Sequence, residues 1–153
     1  MKIEIKNQNQ TEEIAQRLAA IAKPGDVIAL YGDLGVGKSV FSRAFIRALT
    51  QPDEEVPSPT FTLVQIYETA ACELYHFDMY RLDAPEDGLE LGIEEAFGEG
   101  ISLIEWPSKL GAYLPWDCLN IEISHHPADQ NARHFEFSSQ GRWIERLKEI
   151  ALV

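Results

Sequence analysis

Cysteine and basic side chains are scarce in this chain, and long apolar runs are missing altogether. The two cysteines, Cys72 and Cys118, stand singly in strand-like segments. Their isolation excludes a zinc-ligand spacing and predicts buried free thiols in place of a disulfide framework. No stretch approaches the roughly 20 apolar residues that cross a bilayer. The opening Met1-Lys2-Ile3-Glu4-Ile5-Lys6 has no signal-peptide core, so a soluble, cytoplasmic protein without membrane contact is expected. Lys and Arg number 13 against 25 Asp and Glu, a net charge of −12. A nucleic-acid backbone finds no basic stripe to lie along, and direct, tight nucleic-acid binding is not expected. No repeat or low-complexity tract divides the 153 residues, which predicts one domain over 1–153.

Against this plain background one segment is specific. Residues 32–39 read Gly-Asp-Leu-Gly-Val-Gly-Lys-Ser and satisfy the phosphate-loop pattern G-x-x-x-x-G-K-[ST]. At average abundances the pattern arises by chance in roughly one protein of this size in two hundred. The apolar run Val27-Ile28-Ala29-Leu30-Tyr31 precedes it as a buried strand would, and a helical stretch from Ser39 to Leu49 follows, with Phe41, Phe45 and Leu49 as its buried stripe. In such a loop Gly32, Gly35 and Gly37 permit backbone conformations closed to residues with a Cβ, so that successive N–H groups, including those of Val36 and Val40 at the helix start, converge on phosphate oxygens. Lys38 supplies a mobile cation for the β- and γ-phosphates, and the Ser39 hydroxyl is a ligand for Mg²⁺. The expectation is a nucleotide-binding α/β protein: a mostly parallel central sheet flanked by helices, with additional antiparallel strands.

The remaining elements follow from periodicity. Lys2 to Lys6 alternates as a short strand, and Asn9 to Ala22 forms a helix with Asn9 or Thr11 as its N-cap. Gln51 to Pro59 is a loop, while Phe61 to Tyr67 and Cys72 to Asp78 pair as a hairpin. Helical turns between Glu86 and Phe97 share Leu89, Ile93 and Phe97 on one face. Ile101 to Glu105, Leu119 to Ser124 and Arg133 to Phe137 are later strands, and Arg142 to Ile150 closes the chain as a helix whose Arg142 and Arg146 form its solvent face. His125 and His126 are neighbours at a strand end and point apart, so surface histidines are expected there and no metal.

Nucleotide chemistry needs more than a glycine loop. Two strands, Leu74 to Asp78 and Ile101 to Glu105, end an apolar stretch on a carboxylate, the layout that delivers a metal- or water-ordering acid at the carboxyl edge of a sheet. Ser58-Pro59-Thr60 places a hydroxyl before a strand, either as a phosphate-sensing switch or as a turn cap. Trp106, directly after Glu105, stacks on a base or partner, or packs at the core margin.

Taken together, Gly32 to Ser39, Ser58-Pro59-Thr60-Phe61-Thr62-Leu63, His76-Phe77-Asp78-Met79-Tyr80-Arg81-Leu82 and Glu105-Trp106-Pro107 closely resemble the bacterial TsaE (YjeE) family over nearly the whole chain. The resemblance implies an ATPase of tRNA threonylcarbamoyladenosine biosynthesis that binds ATP or ADP with Mg²⁺. It implies that Gly35, Val36, Gly37, Lys38, Ser39, Val40 and Trp106 bind nucleotide, that Ser39 and Glu105 hold the metal, and that Lys38, Thr60, Asp78 and Glu105 carry catalysis or switching. It also implies nucleotide contacts near Gln8 and within Asp129 to Arg133. The implied partners are the threonylcarbamoyl transferase, TsaD, and its dimerising partner, TsaB, which hydrolysis would reset between cycles. Arg81 is the one nearby arginine in cis. The competing readings are a small-molecule or nucleotide kinase, which needs an arginine-rich lid, and a GTPase, which needs an Asn-Lys-x-Asp element that the chain lacks.

Overall fold

The computed structural model describes residues 1–150. Seven strands form one sheet in the order β1-β7-β6-β2-β5-β4-β3. They are β1 (Lys2–Ile5), β2 (Val27–Tyr31), β3 (Val64–Glu68), β4 (Glu73–Asp78), β5 (Ile101–Glu105), β6 (Leu119–His125) and β7 (Arg133–Ser139). The helices are α1 (Gln8–Ile21), α2 (Lys38–Leu49), α3 (Ile93–Glu99) and α4 (Trp143–Glu149), with 3₁₀ segments at Pro85–Leu91 and Pro107–Tyr113. Parallel pairing is confined to the centre, where β6, β2, β5 and β4 run together. The margins are antiparallel: β3 pairs with β4, β7 with β6, and β1 with β7. The expected parallel centre and additional antiparallel strands are both present, but parallel and antiparallel neighbours are equal in number, so the sheet as a whole is mixed, not mostly parallel.

The central strands are apolar because both sheet faces are covered. Along β4 and β5, side chains alternate between two cores. Leu74, Ile101 and Leu103 join Phe41, Phe45 and Leu18 under α1 and α2. Tyr75, Phe77 and Ile104 instead meet Ile93, Ala96 and Leu110 on the opposite face. Phe41 and Phe45 stack at 6.1 Å, one turn apart on α2.

Several expected boundaries shift for local reasons. The N-cap of α1 is Asn7, whose Oδ1 accepts the Gln10 amide at 3.0 Å, so the helix begins earlier than Asn9 or Thr11 would set it. Strand β3 starts at Val64 because Leu63 adopts φ 71°, which ends the extended backbone; Phe61 lies outside the strand and is 83% exposed. Leu89 is exposed also, in a 3₁₀ turn whose period breaks the helical stripe expected from Leu89 to Phe97. Arg142 and Arg146 do not form a solvent face. Both hold the carboxylate of Asp26, which is fully buried just before β2. Arg142 also donates to Asp117, and Trp143 beside it is buried in the core. The charge pattern alone could not distinguish a solvated pair of arginines from one drawn onto a buried acid 116 and 120 residues away.

Candidate functional site

Strand β2 lies between β5 and β6, and the glycine loop leaves its carboxyl end at the centre of the sheet. This is the position where open α/β sheets place ligands. Gly35 and Gly37 take φ +77° and +119°, and a Cβ at either would meet no atom within 4 Å. The loop backbone therefore borders open space at the start of α2. Gly32, at φ +144°, is needed for a different reason: a Cβ there would lie 2.6 Å from the Ile123 carbonyl oxygen and 2.8 Å from Val36 Cγ1.

A cavity of about 250 Å³ gathers most of the expected site residues, with Gly35, Gly37, Lys38, Ser39 and Val40 on one side and Thr60, Asp78, Glu105 and Trp106 on the other. Sheet register explains the carboxylates. Asp78 and Glu105 are paired residues of parallel β4 and β5, so both strand-end acids reach the same edge, and both are buried. Lys38 is buried between these elements, and its Nζ has no hydrogen-bond partner. Burial pushes its pKa down, against the opposing pull of Glu105, Asp78 and Asp33. The Trp106 ring covers the ammonium, with Nζ 4.3 Å from its centroid, and Tyr80 packs on the same indole at 4.9 Å. Trp106 holds a left-handed backbone, φ 55°. Of the two readings of this residue, packing at the core margin is the one present, since Trp106 is partly buried against the second core cluster while its ring covers the lysine.

The hydroxyl loop reaches the site through two short links. Thr60 Oγ1 lies 2.6 Å from Ser58 Oγ and donates to Asp78 Oδ2 at 3.3 Å. Asp78 Oδ1 accepts the Tyr80 amide at 3.0 Å, so each oxygen of this carboxylate has a partner. Glu105 Oε2 accepts from His76 Nε2 at 2.8 Å. His76 sits in the chemistry-bearing motif, yet sequence reasoning assigned it no separate role. The signal is its spacing: residues 74, 76 and 78 share one face of β4.

A second cavity, about 450 Å³, adjoins the loop through Val36, Gly37 and Val40 and is bounded by Gln8 and by Asp129 to Asn131 with Arg133. Arg133 Nε donates to the Val36 carbonyl at 2.8 Å, clipping the glycine loop to the β6–β7 hairpin. This contact also eluded the sequence, because 97 residues separate its partners. Arg81 is engaged by the neighbour of Thr60: its Nη2 donates to the Phe61 carbonyl at 2.6 Å and its guanidinium lies over the Phe61 ring. His125 is exposed at the end of β6, and His126 meets Glu4 and His134. Its Nδ1 already accepts the amides of Ala128 and Asp129, which leaves the neutral ring's proton on Nε2, the nitrogen facing Glu4. That arrangement anchors the 126–131 turn and does not suit a metal on Nε2. Cys72 and Cys118 are free thiols, the second pushed up to about 11 by burial and by Asp117.

Sheet, glycine loop and paired carboxylates define a mixed α/β protein whose polar chemistry is collected at the carboxyl edge of its parallel strands. The family model described as threonylcarbamoyl adenosine biosynthesis protein TsaE matches residues 5–135. The chain belongs to the TsaE family, whose members take part in tRNA threonylcarbamoyladenosine biosynthesis. It is 39% identical to the TsaE protein of Bacillus subtilis over 94% of this chain and 88% of that one. It is 40% identical to the TsaE protein of Rickettsia felis over 84% of this chain and 74% of the relative. The crystal structure of Bacillus subtilis YdiB superposes with a TM-score of 0.79 at 35% identity, covering 99% of this chain and 93% of that chain.

Proposed function

We propose that this protein is a Mg²⁺-dependent P-loop ATPase that serves tRNA threonylcarbamoyladenosine modification through protein partners, binding the TsaD transferase and its TsaB partner and resetting them between cycles. The observation that carries the reading is Lys38. A buried ammonium with no hydrogen-bond acceptor, beside glycines whose backbones face open space, is a site prepared for oxygens that the protein does not supply. The donor set also fits the metal, since a Ser39 hydroxyl and a Glu105 carboxylate are hard oxygen ligands on opposite walls of one cavity. When bound, Mg²⁺ would offset charge on the β- and γ-phosphates.

The residues of the chain then divide the work. Loop amides and Lys38 bind ATP and retain ADP, Ser39 and Glu105 hold the cation, and Asp78 orients the attacking water. Thr60, tied to Asp78 across 18 residues, transmits the presence of the γ-phosphate to the exposed loop that carries it. Arg81 is engaged by the Phe61 carbonyl and Arg133 by the Val36 carbonyl, so neither guanidinium is free to act as an arginine finger, and turnover of the isolated protein is slow and rises with a partner. The kinase alternative loses its lid candidates, because Arg142 and Arg146 are held on Asp26 at the opposite end of β2. ATP hydrolysis measured alone and with purified TsaD–TsaB tests the proposal. Stimulation is the expected outcome, whereas phosphate transfer to a small acceptor with no effect of the complex would replace it with the kinase reading.

A further inference from the structure

We infer that His76 is a positioning residue for Glu105, engaging one carboxylate oxygen so that the other alone faces the cation side of the site. The inference rests on the ATPase reading above. His76 is 2% exposed and Glu105 9% exposed, and the two meet at 2.8 Å through Nε2 and Oε2. A carboxylate can only accept, so the imidazole donates and its Nε2 carries the proton. His76 Nδ1 has no partner at all. A strand interior gains nothing from such a ring, because Leu or Ile would pack between Leu74 and Asp78 without a buried, unpaired nitrogen. Its single hydrogen bond is therefore what the ring contributes beyond packing.

The consequence for Glu105 is geometric. Terminal carboxylate torsions are broad and roughly two-fold, so an unheld Glu105 would present either oxygen to the cavity or swing onto the ammonium of Lys38. In this structure Lys38 makes no hydrogen bond to Glu105, although both line the same cavity. His76 draws the carboxylate toward β4 and holds it apart from the lysine. One fixed oxygen matches Mg²⁺, which takes one or two carboxylate oxygens in near-octahedral geometry and keeps most of its waters. Loss of a hydrogen-bonded partner behind a metal ligand commonly weakens metal affinity about 10- to 100-fold.

The experiment compares the full chain with His76→Gln and His76→Phe. The Gln amide nitrogen can occupy the place of Nε2 and donate, whereas Phe fills the volume and donates nothing. Equilibrium affinity for ADP is measured across a Mg²⁺ titration and in EDTA, with thermal unfolding alongside. His76→Phe is expected to raise the Mg²⁺ concentration for half effect about 10- to 100-fold, the usual cost of losing such a partner. Its affinity in EDTA stays at the wild-type value, and His76→Gln restores the midpoint to within about three-fold. An unmoved midpoint in His76→Phe, or equal loss in both variants, overturns the inference while leaving the ATPase reading intact. Should His76→Phe not fold, His76→Asn, whose amide falls short of Glu105, replaces it against His76→Gln with the same decision. A wild-type affinity indifferent to Mg²⁺ would instead overturn the reading on which the inference stands.

Discussion

Lys38 keeps its ammonium under the Trp106 indole with no protein oxygen to receive its protons, so the charge that would bind phosphate is a burden on the fold by itself. Its depressed pKa has the same origin: the folded state disfavours the protonated form, the penalty is fully present below the folded pKa, and it fades as pH rises from there toward the unfolded value. Lys38→Met should lower ATP affinity about 100-fold through lost charge-assisted hydrogen bonds. The same variant should unfold at a higher temperature, by about 2–4 °C for each 1 kcal/mol recovered in a chain of this size. Isothermal titration and calorimetry read the two effects, and unchanged affinity would remove Lys38 from the site. Its neighbours differ in kind. Both oxygens of Asp78 already accept hydrogen bonds, whereas only one oxygen of Glu105 does. Glu105→Gln should therefore weaken the Mg²⁺ dependence of nucleotide affinity more than Asp78→Asn does, and magnesium titrations of both variants rank them.

At the scale of elements, β2 separates two polar centres. The glycine loop leaves its carboxyl end, and buried Asp26 precedes its amino end, where Arg142 and Arg146 secure α4. The six residue steps between Asp26 and Gly32 span about 20 Å of extended chain. Asp26→Asn should cost about 3 kcal/mol of stability by leaving two guanidinium groups without their shared charge. Nucleotide affinity should stay within about two-fold, because the affected contacts lie at the far end of the strand. Urea unfolding paired with ADP titration checks both halves. A large loss of affinity would show that α4 communicates with the glycine loop. The β6–β7 hairpin stands in the opposite position, since Arg133 touches the Val36 carbonyl directly and its turn borders the larger cavity.

For the whole molecule, the governing quantity is the excess of 12 negative charges. A surface of this sign repels a phosphate backbone, so the isolated protein should give no tRNA gel shift at physiological salt. Among the described residues no helix is long and apolar enough to cross a membrane. On the proposed reading protein partners supply the route to tRNA, and the exposed Phe61 and Leu34 give the Thr60 loop and the glycine loop apolar surface to offer them. Pull-downs of TsaD–TsaB with an ATP analogue, with ADP and without nucleotide should differ, because Thr60 joins the exposed loop to Asp78. Equal capture in all three would break the link between nucleotide and partner.

By itself the sequence determined what short-range chemistry controls. The glycine loop, β2 to the residue, the aromatic stripe of α2 and the two strand-end acids were all legible, because each depends on spacing within a dozen residues. The family was legible for the same reason, as four motifs in order. Tertiary structure decided what depends on residues far apart in the chain: the order of the strands in the sheet, the capture of Arg142 and Arg146 by Asp26, the clip from Arg133 to Val36, and the pairing of His76 with Glu105. Periodicity records which face a side chain occupies, but not which partner waits there. That choice is made by sheet register, which set Asp78 beside Glu105 and so turned two separate strand ends into one site.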